Sequence, residues 1–228
     1  MKKILYSVAL AACCMGTMTS CSDFLDASNK SNVTAKQSFA TKEGLNNLVN
    51  DAYQHLQNVY AAPLFTSCFS AGTDMYADAR NKMNEALNTY ETLTPENTDI
   101  KNLYTYLYSG IRAANSVSYY AQTAQVDDKT KGQLIGEARV LAAYEYYLLV
   151  NNFGGVPIMK DFLTTADTGY PKSSAADVYA YIISELEDVI SKNVLQASTA
   201  TKGGGRISQE TAKAILAKTY LSAAWDLN

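Results

Sequence analysis

The sequence predicts an all-α protein of irregular, tetratricopeptide-like stacked helical hairpins with one long inserted loop. Three observations carry that prediction. Apolar residues recur at three- and four-residue steps along five separate stretches. No stretch keeps up the alternation of a half-buried strand. Capping side chains or helix-stopping glycine and proline stand at the ends of several stretches.

In chain order, the first helix is expected from Thr41 to Tyr60, with Leu45, Leu48, Val49, Ala52, Leu56 and Val59 on one face. The second runs from Thr98 to Gln122 and aligns Ile100, Leu103, Leu107, Ile111, Ala114, Val117 and Ala121. A third, Lys131 to Phe153, stacks Leu134, Ala138, Leu141, Tyr144 and Leu148 before Gly154-Gly155-Val156-Pro157. Glycine accepts the left-handed C-terminal cap, and proline cannot continue the ladder. The fourth opens at Ser174 with Asp177 three residues on, a capping-box spacing, and buries Val178, Ile182, Leu186 and Val189. Ser208 caps the fifth, whose Ala212, Ile215, Leu216, Thr219 and Ala223 form a narrow face for close packing. The helices near 98–122 and 131–153 are expected to pair, as are those near 174–191 and 208–224. No clean repeat with the tetratricopeptide period appears. Tyrosines on these helices, among them Tyr104, Tyr119, Tyr144, Tyr179 and Tyr220, read chiefly as packing residues with their hydroxyls at the rim.

Composition bounds the function. A net charge of −3 and a pI near 5.2 leave no basic field for a phosphate backbone, which argues against nucleic acid as a partner. Apolar residues at 47% against 18% charged fit a core-forming chain. His55 is the single histidine, so a two-histidine zinc site cannot form and any histidine-based catalytic pair rests on one imidazole. Neither a metal nor a cofactor is indicated.

Residues 1–20 read as a secretory leader: Lys2 and Lys3, an apolar run from Ile4 to Cys14, then small polar residues. The run is about half the roughly 20 residues that span a bilayer. Both Leu10-Ala11-Ala12-Cys13 and Met18-Thr19-Ser20-Cys21 look like a lipobox; the second gives a leader of ordinary length, so Cys21 is the expected lipidated residue. With the leader cut away before an acylated Cys21, Cys68 is the only free thiol of the mature chain and no disulfide framework is possible. Residues 21–40 read as a tether and 41–228 as the helical domain.

Ala61 to Thr98 lacks helical periodicity and is long for a connection in a compact domain, which marks it as functional. It holds Asp74, Tyr76, Arg80, Asn81 and Tyr90. Tyrosine offers a flat face to a pyranose, and Asp, Arg and Asn bond hydroxyl pairs in its plane. Elsewhere, Thr201 to Arg206 reads as a flexible turn, lacking the Gly-Lys-Ser/Thr order of a phosphate loop. Glu185, Glu187 and Asp188 read as a solvated face, and His55 as a packed or surface residue without a sequence-adjacent partner.

Several pieces in order resemble one family: Cys21-Ser22-Asp23-Phe24-Leu25-Asp26; Tyr108-Ser109-Gly110-Ile111-Arg112-Ala113-Ala114-Asn115; Gly136-Glu137-Ala138-Arg139; Phe153 to Pro157; Asp177-Val178-Tyr179; and Gly205-Arg206-Ile207-Ser208 leading into Ala212 to Leu221. Their spacing resembles the N-terminal part of the SusD/RagB family of Bacteroidota surface lipoproteins. The resemblance implies a non-catalytic glycan- or nutrient-binding protein, lipid-anchored at the outer membrane, that caps a SusC-like TonB-dependent transporter and passes it oligosaccharides. It also implies an arginine and aromatics in the ligand loop, for which Arg80 is the best match. Departures are Tyr104 where members often have Trp, Ala142 where a second Arg often stands, and no Trp in the loop. Members are usually much longer. The chain is therefore expected to lack a C-terminal half, to bind sugar weakly or not at all, and to leave Ile215, Leu216, Leu221 and Trp225 uncovered. The alternative is a surface helical-repeat module that binds protein and no sugar; a glycoside hydrolase would need a marked carboxylate pair, and none is evident.

Overall fold

The computed structural model describes residues 34–76, 85–165, 169–198 and 205–227. The leader, Cys21, most of the expected tether, Arg80 and Asn81 lie outside them. From Ala35 onward the chain forms one compact unit. Its described residues hold eight helices and no strand: α1 (Ala35–Ser38), α2 (Lys42–Val59), α3 (Ala62–Phe69), α4 (Glu85–Thr89), α5 (Thr98–Ala121), α6 (Asp128–Phe153), α7 (Ala175–Lys192) and α8 (Gln209–Asp226).

Each long helix packs on the next: α2 on α5, α5 on α6, α6 on α7 and α7 on α8, with α2 also reaching α6. The two expected hairpins, α5/α6 and α7/α8, are present, and α2 closes against α5 across the inserted segment. The periodic stripes supply the core. Leu45, Val49 and Ala52 of α2, Leu107 and Val117 of α5, Ala138 and Leu149 of α6, and Val178, Ile182 and Leu186 of α7 are all fully buried. Each buried Leu or Ile contributes about 1.5–3 kcal/mol through removal of apolar area from water.

The helix ends are chemically fixed. Thr41 accepts from the Gly44 N–H at 3.1 Å, and Asn97 from the Asp99 and Ile100 N–H groups at 3.0 and 3.2 Å. Ser174 and Asp177 form the expected capping box, and Ser208 caps α8 through the Thr211 N–H at 3.1 Å. α6 starts three residues before the expected Lys131, because Asp127 accepts from the Thr130 N–H at 2.9 Å. The first turn there is wholly polar, so periodicity could not reveal it. α6 stops at Gly154, whose φ of +67° is the left-handed region. Gly155 lies where a Cβ would meet the Ser173 carbonyl.

Residues 156–159 then run back along α5. Tyr108 donates to the Pro157 carbonyl at 2.7 Å, Asn115 to the Met159 carbonyl at 2.8 Å, and the Tyr146 hydroxyl accepts from the Met159 N–H at 2.6 Å. Tyr108, Asn115 and Pro157, all in the motifs singled out in the sequence, thus fasten one connection.

Four expectations change. The end of the stretch read as tether is folded: Phe39 packs on Tyr120 at 4.8 Å between ring centroids, and the Gln125 N–H donates to the Ala40 carbonyl. Glu185 and Asp188 are not a solvated face, since Arg139 of α6 reaches both, at 2.7 and 2.5 Å. Arg206 does not sit in a loose turn. Its Nε meets the buried Glu137 carboxylate at 2.8 Å, its Nη atoms donate to Asn50 and Asn46, and its guanidinium lies 5.5 Å over the Tyr53 ring. Ile215 faces the core with Ala212 and Thr219 and is buried, whereas Leu216 is half-buried and Leu221 and Trp225 are 74% and 85% exposed. These last two lie on the opposite side of α8.

Candidate functional site

The stretch read as a loop from Ala61 to Thr98 opens with a helix. Pro63 stands in the first turn of α3, where its missing N–H costs nothing; Leu64 is buried, and the helix packs against α5. At eight residues it was too short to register as a periodic stretch. Among the stretch's described residues, 70–76 and 90–97 are irregular, and the five-residue α4 stands directly before the second of these.

Its two described flanks meet. Gly72 has φ +74°, and a Cβ there would collide with the Tyr90 hydroxyl and crowd the Leu87 carbonyl. Tyr90, itself at φ +63°, therefore closes onto the turn that carries Asp74, Met75 and Tyr76. A bulky residue in the left-handed region costs about 1–3 kcal/mol and persists only where its surroundings enforce it. Asp74, Tyr76 and Tyr90 are all exposed, and Met75 is 94% exposed. The structure brings Tyr90 to the turn bearing Asp74 and Tyr76; the expected partners Arg80 and Asn81 fall outside the described residues.

A second aromatic group adjoins α3 and escaped the sequence reading, because its members straddle the end of α2 and an unrecognised helix. Phe65 and Phe69 stack at 5.3 Å, Tyr60 joins Phe65 at 5.5 Å, and the Tyr60 hydroxyl meets that of Tyr144 at 2.5 Å. Tyr144 stacks on Tyr147 at 5.9 Å. Tyr60 and Phe65 keep 43% and 37% of their surface exposed, leaving an open aromatic edge. Burial and the Tyr144 hydroxyl push the Tyr60 phenol above its ordinary range.

The buried acids belong to the scaffold. Burial pushes the Glu137 carboxyl up against the pull of Arg206, while Gln133 and Tyr53 donate to it at 3.2 and 3.4 Å. Tyr53, pushed up to about 12 chiefly by burial, also accepts from the Ile207 N–H at 2.7 Å. The Glu145 carboxyl is fully buried beside Gly110, with neither oxygen hydrogen-bonded, and burial holds it well above the carboxylate range. Burial, with the Asp99 charge second, raises the Cys68 thiol to about 11, which makes it a poor nucleophile. Among the described residues no group of three His, Cys, Asp or Glu side chains could hold a metal ion. What the exposed groups can do chemically is stack on sugar faces and exchange hydrogen bonds with hydroxyls.

The chain is 28% identical over 190 residues to a SusD-like protein of Formosa agariphila, covering 81% of this chain and 36% of that protein. A SusD-like protein of Bacteroides ovatus is also 28% identical, over 139 residues, covering 59% of this chain and 24% of its own length. The chain thus spans about a third or less of the relatives it matches. Among solved structures, surface glycan-binding protein A from Bacteroides uniformis superposes with a TM-score of 0.66 at 26% identity, over 78% of this chain and 41% of that one. A laminarin-binding SusD-like protein gives 0.61 at 25%, over 75% and 40%. A SusD homologue from Bacteroides thetaiotaomicron gives 0.67 at 21%, over 86% and 39%, a likeness of fold. Residues 23–221 match the family model described as starch-binding and associating with the outer membrane, and the chain belongs to that SusD-like family.

Proposed function

We propose that this chain is the N-terminal, scaffold-bearing part of a cell-surface glycan-binding lipoprotein that hands oligosaccharides to a SusC-like TonB-dependent transporter. The observation that carries the reading is the exposed turn of Asp74 and Tyr76 closed by Tyr90, on a member of a starch-binding family. In this reading a pyranose lies on the tyrosine faces, while Asp74 and, from the same insertion, Arg80 and Asn81 bond its hydroxyls. Capture needs no bond making or breaking.

The membrane is reached through acyl chains on Cys21; among the described residues no helix is long and apolar enough to cross one. Two acyl chains hold a protein stably without a span. Fatty-acid labelling in the native bacterial group is expected to tag the chain and to be lost in Cys21→Ala; loss in Cys13→Ala with Cys21→Ala still labelled would reassign the anchor. Titration of the purified chain with maltoheptaose and laminarihexaose tests the ligand class. The expected outcome is saturable binding weakened by Arg80→Ala, with the sugar recovered uncleaved. Cleavage abolished by one carboxylate substitution would refute a binding role.

A further inference from the structure

A second concavity lies away from the insertion, between α2 and α5, and has a volume of about 400 Å³. That is within the roughly 300–1,000 Å³ typical of small-molecule sites. Its shape follows from residue size: Ser109, Ala113 and Ser116, at successive turns of α5, leave room where larger side chains would close the helix pair.

Three rings wall it. Phe39 packs on Tyr120 at 4.8 Å, and Tyr120 on Phe162 at 5.8 Å. Phe162 comes from the connection after α6, fastened three residues earlier at Met159 by Asn115 and Tyr146. The Arg112 guanidinium covers the Phe162 ring at 5.2 Å. The rings are thus held in place before any ligand arrives.

The rim is polar and balanced in charge. Asp51 and His55 stand one turn apart on α2, with His55 Nε2 3.8 Å from the Asp51 carboxylate, and Arg112 faces them from α5. The His55 side chain keeps about a quarter of its surface exposed at this rim.

We infer that the cleft between α2 and α5 is a second saccharide subsite, taking one neutral pyranose against Phe39, Tyr120 and Phe162, with its hydroxyls on the Asp51, His55 and Arg112 side chains at the rim. One cation and one carboxylate on opposite sides of the rim suit the paired hydroxyls of an uncharged sugar better than an anion. The rings match its C–H face. A docked helix would need a long open groove, and the packed pair of Phe39 and Tyr120 lines this one.

The inference rests on the glycan-binding reading above, and the experiment separates the two. His55 is the only histidine, so its ring gives one set of resonances in histidine-labelled protein. Addition of maltoheptaose or laminarihexaose to the full chain is expected to shift those resonances saturably. Phe162→Ala is expected to weaken that response by roughly five- to tenfold, as loss of one ring contact should, and His55→Ala to weaken calorimetric binding with the helical circular-dichroism signal unchanged. If either sugar binds by calorimetry while the His55 resonances stay still and only Tyr76→Ala or Tyr90→Ala weakens binding, the subsite is wrong and the glycan reading stands. If neither sugar binds, both fall.

Discussion

Ion pairs of Arg139 and Arg206 tie α6, α7 and the start of α8 together, whereas Asp74, Tyr76 and Tyr90 of the insertion face solvent. Arg139 joins α6 to α7 through Glu185 and Asp188, and Arg206 ties the start of α8 to Glu137 of α6 and to Asn46 and Asn50 of α2. In the insertion, Asp74, Tyr76 and Tyr90 are exposed, and Tyr90 is held in a backbone conformation that a bulky residue rarely adopts. The same chain thus has one region knit by ion pairs and another that presents exposed polar side chains. Rigid scaffold and exposed insertion are the usual division of labour between packing and recognition.

The comparison breaks most visibly at Arg206. Removing one partner of a buried ion pair leaves the other charged and dry, so Arg206→Ala is expected to destabilise by roughly 3–5 kcal/mol in denaturant unfolding. An effect below about 1 kcal/mol would mean that the clamp is a surface pair. Next is Gly110, where an added methyl meets the Glu145 carboxyl. Gly110→Ala is expected to cost about 1–3 kcal/mol through overpacking, and Glu145→Ala in the same chain should recover part of it.

Glu145 of α6 is an exception to this pairing, a buried acid whose oxygens have no hydrogen-bond partner. Its folded pKa is raised, so the neutral form is favoured by folding. The associated stability is fully present below the unfolded carboxylate value and is lost as pH rises through the folded one. Over that window wild-type stability should fall relative to Glu145→Gln by up to about 1.4 kcal/mol per pH unit. A pH-independent difference between the two proteins would show that Glu145 is ionised in the fold. The smallest stability effect belongs to the insertion: Asp74→Asn and Tyr76→Ala are expected to shift unfolding by no more than about 0.5 kcal/mol, while lowering sugar affinity.

The five long helices were legible because each buries one stripe, and burial of a stripe imposes a 3.6-residue period on the sequence. Phe65 and Phe69 were not, since a helix of two turns shows too little of the period to distinguish it from a loop. The polar clamps were hidden for another reason. Arg206 lies 156 residues from Asn50, and Arg139 lies 46 from Glu185; judged along their own helix, Glu185 and Asp188 show no convergence. For the site, residue chemistry pointed to Asp74, Tyr76 and Tyr90, but not to the closure of Tyr90 over Gly72, which depends on two left-handed residues 18 positions apart. His55 carried no local signal at all, because the rings beside it come from the segment before α2, the end of α5 and the connection after α6.

The central claim is that the exposed insertion binds sugar on a scaffold that does not depend on it. Calorimetric titration of wild type and Tyr90→Ala with maltoheptaose and laminarihexaose, with thermal unfolding of both proteins alongside, tests it most directly. The expected result is saturable binding to the wild type, weakened by roughly five- to tenfold in Tyr90→Ala for the loss of one stacking face, at an unfolding midpoint no lower than that of wild type. Equal affinity in the two proteins, or loss of binding accompanied by a collapse of the midpoint, would contradict it.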